Sequence, residues 1–152
     1  MTSPNRTIRA ESSPSAAERY AKLAVRRGIS LGPLRSGGAR DFAIVLAAAA
    51  QPFPPGRIFT EREVNHLLRI FLAEAGSMLA TDHVELRRWL IDCRLLERDG
   101  FGRAYTAGTP APEFTAAAAQ LSNVDLAVLA REARAREAAA RAERKERWEQ
   151  AR

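Results

Sequence analysis

The sequence predicts a mainly helical protein with a small β-hairpin, in which a winged helix-turn-helix core precedes a long C-terminal helix. Two observations carry this prediction. The central region contains three apolar patterns at helical spacing, followed by two short extended runs around a Gly-rich turn. The C-terminal segment consists almost wholly of Ala, Arg, Glu and Lys, a composition that favours helix. The predicted segments are a basic flexible arm (1–39), a winged-helix domain (40–108), a linker (109–121) and a charged C-terminal helix (122–152).

Composition excludes several classes of protein. The chain has 152 residues, of which 46% are hydrophobic and 28% charged, which suits one compact domain with extensions. A single cysteine excludes a disulfide within the chain, and two histidines argue against a metal site. No apolar run approaches the roughly 20 residues of a membrane span, and the start lacks the apolar core of a signal peptide. We therefore expect a cytoplasmic protein with no membrane contact and no cofactor.

The arm is strongly basic, with eight Arg and Lys residues up to Arg40 against Glu11 and Glu18. The breaker-rich run from Gly28 to Gly38 predicts little buried surface, apart from a short helix over 16–27. Three interpretations stay open: a solvated tail, an organellar transit peptide, or an arm that grips phosphates. In the last interpretation Arg26 and Arg27 bind nucleic acid.

The first two core helices have clear patterns. Apolar residues at helical spacing predict a helix over 40–50, which the Pro-rich run 52–55 ends. Thr60 and Glu63 form a capping box at the start of the second helix, which should stop near Gly76. Within this second helix, Asn65 is expected to be a buried or turn-bridging hydrogen-bonding residue.

The third helix is predicted over His83–Arg94, with Asp82 as its N-cap and Glu85 three residues later. Its inward face comprises Leu86, Trp89, Leu90 and Cys93, and its outward face comprises His83, Arg87, Arg88, Ile91 and Arg94. Two extended runs, 95–98 and 103–106, then flank a Gly-rich turn and predict a hairpin. This order is typical of a winged helix-turn-helix, in which the third helix enters the major groove and the hairpin is the wing.

Four motifs stand in this region: FTEREVN at 59–65, LRRWLID at 86–92, LLER at 95–98 and GRAY at 102–105. They resemble those of a bacterial domain-of-unknown-function family, numbered two thousand and eighty-seven. The resemblance implies a winged-helix-like fold, found alone or attached to ArsR-type regulators, in a transcription-related setting without established chemistry. The family usually has a short connection before the third helix, whereas 73–81 makes a longer loop here.

The candidate nucleic-acid contacts are arginines. Arg87 and Arg88 lie on the third helix, where a guanidinium can bind guanine or phosphate. The remaining candidates are the arginines at the helix end and the hairpin, namely Arg94, Arg98 and Arg103, together with Arg26 and Arg27 of the arm. Acidic residues share these elements, so ion pairs between Glu85 and Arg88 and between Arg94 and Glu97 are the alternative. The region 41–110 has a net charge of only about −1, which is low for a DNA-binding surface.

The C-terminal segment is predicted to be a linker followed by a helix. Pro110 and Pro112 stiffen the linker, and Ser122 with Asp125 starts a helix that persists to about Gln150. Its first turns carry a small apolar docking face, and the rest lacks the heptads of a coiled coil. The partner-binding candidates on this helix are Leu126, Leu129, Arg141, Arg144 and Trp148.

No arrangement of residues indicates an enzyme: phosphate-binding loops, paired catalytic carboxylates and metal-ligand spacing are all missing from the sequence. The leading hypothesis is a non-enzymatic transcription regulator that binds double-stranded DNA through the third helix and the wing. The alternative is a protein-interaction adaptor that docks on a large complex, such as RNA polymerase or the ribosome, through the winged-helix scaffold and the C-terminal helix.

Overall fold

The computed structural model describes residues 14–101 and 103–152. Helices dominate it, and a small sheet lies beside the fourth and fifth of them. In chain order the elements are α1 (Ala16–Ala24), α2 (Leu31–Gly37), α3 (Ala39–Ala50), β1 (Phe59–Thr60), α4 (Glu61–Ala73), α5 (His83–Asp92), β2 (Leu96–Arg98), β3 (Ala104–Ala107), α6 (Pro112–Leu121) and α7 (Leu126–Gln150).

The elements from α3 to β3 have the order of a winged helix-turn-helix, as predicted: three helices and then a hairpin. The sheet, however, has three strands rather than two. Its order is β1-β3-β2, all antiparallel, with Phe59 opposite Tyr105 and Leu96 opposite Ala107. The strand β1 was missed because it is only two residues long and includes the residue that caps the next helix.

The predicted helix starts are confirmed. Thr60 Oγ1 accepts a hydrogen bond from Glu63 N at 3.1 Å. In return, Glu63 Oε1 accepts one from Thr60 N at 3.3 Å, which completes the capping box. Asp82 Oδ1 accepts from Glu85 N at 2.8 Å at the start of α5. These caps satisfy amides that have no partner inside the helix, so Thr60 and Asp82 determine where α4 and α5 begin.

Helix α3 lies at the centre of the core. Every residue from Phe42 to Ala49 is buried, because other helices cover the faces that the winged helix leaves open. The ring of Phe42 contacts two of these neighbours edge-on, with centroid distances of 5.4 Å to Trp89 of α5 and 6.2 Å to Phe114 of α6. A helix that is apolar on all sides is stable only when it is surrounded in this way.

The prediction of a flexible arm over 1–39 is wrong for its described part. Helices α1 and α2 are packed into the core: Ala16 and Tyr20 are fully buried, and Leu31 nearly so. Arg19 pairs with Asp41 of α3 at 2.8 Å, which fixes α1 against the central helix. Two of the arm's predicted basic residues, Arg6 and Arg9, lie outside the described residues.

The predicted linker 109–121 is also wrong, because most of it is helix α6. Pro112 stands in the first turn of α6, where its missing N–H costs nothing, and Phe114, Ala117 and Leu121 are buried against the core. The side-chain amide of Gln51, which follows α3, donates to the carbonyls of Leu121 at 3.0 Å and Val124 at 3.1 Å. The turn between α6 and α7 is thereby tied to the end of α3.

The long C-terminal helix is confirmed, but it starts at Leu126 rather than at Ser122. Asp125 is its N-cap and accepts from Val128 N at 3.1 Å. The first part of α7 docks on the domain through Leu126, Ala130 and Ala133, and every residue after Ala140 is exposed. Of the described helices, none is long and apolar enough to cross a membrane.

Candidate nucleic-acid interface

Helix α5 presents one fully available arginine. Arg88 is exposed, and it makes no ion pair within 4 Å in the described parts of the chain. The predicted pair with Glu85 does not form, since the Glu85 carboxylate instead faces the indole N–H of Trp89 at 3.5 Å. The guanidinium of Arg88 is therefore free to bind an anion or a base edge.

Arg87 occupies a different environment from the one predicted for the outward face. Its guanidinium lies 3.1 Å from the Glu61 carboxylate and donates to Asn65 Oδ1 at 2.5 Å, and its side chain is only 16% exposed. Both partners belong to α4, so Arg87 fixes the angle between α4 and α5. Asn65 forms a hydrogen bond as predicted, but it is half-buried and joins two helices rather than bridging a turn. Arg87 is a positioning residue rather than an exposed contact.

The wing carries two further exposed arginines. Asp99 Oδ1 accepts hydrogen bonds from the backbone N–H groups of Phe101, at 3.2 Å, and Arg103, at 2.9 Å, which orders the turn between β2 and β3. Arg98 and Arg103 are exposed on either side of this turn, and Phe101 at its tip is 86% exposed. The wing therefore presents two cations and one aromatic ring to solvent.

Arg94 does not lie on α5, because the helix ends at Asp92. It stands two residues later in the left-handed region, with φ +62°. Its N–H donates to Ile91 O at 3.0 Å and the next N–H, of Leu95, donates to Leu90 O at 2.8 Å. This is the Schellman arrangement that ends a helix, in which the left-handed position favours glycine. The predicted ion pair between Arg94 and Glu97 is not formed.

Arg94 borders an open cleft of about 960 Å³ between α3, α6 and the end of α5. Cys93 also lines this cleft and is half-buried against the core. Burial raises the pKa of its thiol, Arg35 opposes that rise, and Asp92 and Glu113 add to it. The neutral thiol is favoured, in agreement with the interpretation of Cys93 as a small core residue.

The arm's candidates Arg26 and Arg27 are exposed and follow directly after α1. They line an open groove together with two arginines of α7, Arg134 and Arg141. Sequence reasoning selected Arg141 as a partner-binding residue but missed Arg134, which looks like any other arginine in an Ala-, Arg- and Glu-rich helix. The structure thus brings residues from the two ends of the chain to one site.

The other partner-binding candidates fall into two groups. Leu126 is buried in the chain's own core, so the prediction that it binds a partner is wrong, whereas Leu129 is half-buried against that core and its role stays a prediction. Arg144 lies 3.3 Å from the Glu137 carboxylate. Trp148 is 59% exposed, and the guanidinium of Arg152 lies over its ring at 4.1 Å. Trp148 is therefore the large apolar side chain that α7 leaves exposed.

A row of basic residues on α4 was also missed as a possible anion-binding surface. Arg62, His66 and Arg69 are exposed on the face opposite the buried stripe, and Arg69 Nη2 lies 3.3 Å from His83 Nε2 at the start of α5. The spacing of Arg62 and Arg69, seven residues apart, places them on one helix face and was the available signal.

Comparison with known proteins agrees with the motifs. Residues 38–107 match a family described as uncharacterized protein conserved in bacteria (DUF2087). The matched segment runs from the start of α3 to the end of β3, so it covers the winged-helix elements and leaves out α1, α2, α6 and α7. No curated protein and no solved structure matches the chain.

Proposed function

We propose that the chain is a non-enzymatic, cytoplasmic transcription regulator that binds duplex DNA through α5 and the wing, which belong to the segment 38–107 that matches the bacterial family. The observation that carries the proposal is one surface, called here the α5–wing surface: Arg88, Arg98 and Arg103. All three are exposed, and none makes an ion pair among the described residues. Guanidinium groups on a helix and an adjoining wing are suited to a major groove and its flanking phosphates.

The dimensions of α5 support this proposal. The helix has 10 residues, which corresponds to a length of about 15 Å, and a B-DNA major groove about 12 Å wide accepts a helix across its full diameter. Arg87 holds α5 against α4 through Glu61 and Asn65, so the helix keeps its orientation when it presents Arg88. A fixed helix loses less conformational entropy on binding than a mobile one.

The test is fluorescence anisotropy of the full chain on a random 30-base-pair duplex at several salt concentrations. The variant Arg88→Ala/Arg98→Ala/Arg103→Ala removes the α5–wing surface. The matched control, Arg131→Ala/Arg136→Ala/Arg147→Ala, removes three exposed arginines of α7, so both variants lower the net charge of +6 by three. We expect at least tenfold weaker binding for the first variant, and a log–log salt slope that is smaller by about 0.9 for each lost phosphate contact.

Two results would contradict DNA binding through this surface. One is the absence of binding by the wild-type chain even at low salt. The other is an equal loss of affinity in the α5–wing variant and in the control, which would mean that only net charge matters.

A second function, docking on a large complex such as RNA polymerase, is favoured by the free end of α7. Its residues after Ala140 are exposed, and Trp148 offers an anchor of the kind that is enriched in interface hot spots. Truncation after Arg144 removes Trp148 and keeps the docked part of the helix and the Glu137–Arg144 pair. An adaptor loses binding to purified RNA polymerase on this truncation and keeps it in the α5–wing variant, whereas a DNA regulator shows the opposite dependence for duplex DNA.

A further inference from the structure

An open groove of about 510 Å³ lies between the end of α1, the loop after α4 and the middle of α7. We call it the basic groove and define it by its four arginines: Arg26, Arg27, Arg134 and Arg141. Its other lining residues are small or apolar, apart from Ser77 and Glu137. Only the loop residues of the groove belong to the segment 38–107, so most of the groove is built from the flanking segments.

The positive charge of this groove is not neutralised within the described parts of the chain. Glu137 is the carboxylate that lines it, and this group is held by Arg144 at 3.3 Å. Arg26, Arg27 and Arg141 are exposed and make no ion pair within 4 Å in the ranges 14–101 and 103–152. A concave surface with several unpaired cations attracts an anionic ligand and concentrates it locally.

Arg134 forms part of the groove wall and is fixed there. Its Nε donates to the Ala24 carbonyl at 3.0 Å, and its Nη1 donates to the Glu74 carbonyl at 3.0 Å. These carbonyls lie at the C-terminal ends of α1 and α4, where a cation is favoured. The third nitrogen, Nη2, is buried and has no acceptor among the described residues. Arg134 therefore holds a full positive charge in the wall, opposed only by backbone dipoles.

The remaining wall is also preorganised. The buried Tyr20 hydroxyl donates to Ala75 O at 2.7 Å and ties α1 to the loop after α4. The segment after α1 pairs with the same loop, through Ile29 N to Met78 O at 2.9 Å and Ala80 N to Ile29 O at 2.8 Å. The loop after α4 thus provides the surface on which the flanking segments assemble the groove.

We propose that the basic groove binds the phosphodiester backbone of the DNA, as a second contact separate from the α5–wing surface. The inference rests on the proposed function. Arg134 and Arg141 are seven residues apart on one face of α7, which separates them by about 10.5 Å along the helix. Each DNA strand carries one charge per 3.4 Å of helix axis, so this distance spans about three phosphates. Arginine dominates the groove, and phosphate oxygens are the acceptors that its planar fork binds in pairs.

The experiment uses the full chain and the same anisotropy assay. The groove variant is Arg26→Ala/Arg27→Ala/Arg141→Ala, which leaves the structural residue Arg134 in place. The control variant Arg131→Ala/Arg136→Ala/Arg147→Ala has the same net charge and retains all four groove arginines. We expect the groove variant to bind the 30-base-pair duplex at least tenfold more weakly than the control, and its salt slope to fall by about 2 to 3 units.

The possible outcomes separate this inference from the proposed function. If the α5–wing variant loses binding and the groove variant matches the control, DNA binding stands and the groove contact is overturned. If the groove variant alone loses binding, the groove contact is supported and the assignment of α5 and the wing is overturned. If the wild-type chain binds no duplex, both fail.

An acidic protein partner is tested with a fluorescent poly-glutamate peptide. Binding of this peptide that needs the groove arginines, together with duplex binding that does not, would overturn a phosphate-binding role. We expect unlabelled duplex to displace the labelled duplex strongly. The peptide, at the same charge concentration, should displace it only weakly.

Discussion

The molecule has two basic surfaces that hold their charge in different ways. The α5–wing surface shares its elements with acidic residues, including Glu85 and Glu97, and the elements 41–110 contain eight Arg against nine Asp and Glu. The basic groove contains four arginines and one carboxylate, and that carboxylate is occupied by Arg144. On the proposed function, the winged-helix domain supplies the shape that meets the base edges, and the flanking segments supply most of the uncompensated charge.

On the proposed function, this division would correspond to two kinds of contact with DNA. Phosphate contacts contribute affinity and position the protein, whereas contacts to base edges specify the sequence. The region 41–110, with a net charge of only about −1, is a poor source of salt-dependent affinity, but a few well-placed guanidinium groups suffice to discriminate bases. In the proposed phosphate contact the basic groove has the opposite character, because arginines that bind phosphates do not distinguish one sequence from another.

The basic groove, unlike the α5–wing surface, includes an arginine that also holds the fold together. Its removal gives the largest predicted effect, which is on the free energy of unfolding. Removal of Arg134 by Arg134→Ala breaks charge-assisted hydrogen bonds to the ends of two helices that are distant in sequence. We expect the free energy of unfolding to fall by about 2–3 kcal/mol, as measured by urea denaturation.

The controls for this prediction lie on the same helix. Arg131→Ala, which removes an exposed arginine one turn earlier, should change stability by less than about 0.5 kcal/mol. Arg134→Lys keeps the charge but cannot reach both carbonyls, so its loss should be intermediate. Equal stability of Arg134→Ala and Arg131→Ala would show that the two carbonyl contacts contribute nothing to the docking of α7.

The winged-helix elements could be predicted from sequence because their signals are local. Thr60 and Asp82 cap helices within three residues, and apolar spacing identifies the buried faces of α4 and α5. The flanking helices α2 and α6 were missed for the converse reason, whereas α1 and α7 were predicted. The Gly- and Pro-containing sequence of α2 has low helix propensity, and it folds because Leu31 and Leu34 pack against the core. One signal was available: the apolar run 42–49 leaves no polar face on α3 and so requires neighbours on every side.

In the candidate site, too, local features could be predicted and contacts between distant segments could not. Arg88, Arg98 and Arg103 were correctly expected at the surface, since exposure follows from helix and hairpin periodicity. Arg87 was wrongly placed there because its partners, Glu61 and Asn65, lie on another helix. The basic groove could not be predicted at all, because Arg134 and Ala24 are 110 residues apart and only the folded chain brings them together.

Two buried tyrosines, one beneath each surface, give the next prediction. The Tyr20 hydroxyl donates to Ala75 O under the basic groove, whereas the Tyr105 hydroxyl, under the wing, is buried with no partner in the part of the chain that the structure describes. We expect Tyr20→Phe to lower the free energy of unfolding by about 1–2 kcal/mol, since it leaves a buried carbonyl unpaired. Tyr105→Phe should be neutral or slightly stabilising, and equal losses in the two variants would contradict this difference.

The pH dependence of stability tests the same hydrogen bond. Burial raises the pKa of the Tyr20 phenol, which the nearby Arg134 opposes only in part. A folded-state pKa above the unfolded value of about 10 gives stability that is complete below pH 10 and is lost as the pH rises further. The stability difference between the wild-type chain and Tyr20→Phe should therefore shrink above about pH 10. A difference that stays constant to higher pH would contradict the shift.

The smallest predicted effect concerns the junction of α5 and the wing. Arg94 adopts φ +62° in the Schellman turn that ends α5, a conformation that strains any residue with a β-carbon. Arg94→Gly should raise the free energy of unfolding by about 0.5–1 kcal/mol, because the relief of strain exceeds the entropy that glycine adds to the unfolded chain. Arg94→Ala keeps the strain and should not be stabilising.

Because Arg94 lines the cleft behind α5 rather than the α5–wing surface, both variants should bind duplex DNA as the wild-type chain does. A loss of binding shared by the two would extend the α5–wing surface to this residue, whereas a loss of stability in Arg94→Gly would contradict the strain.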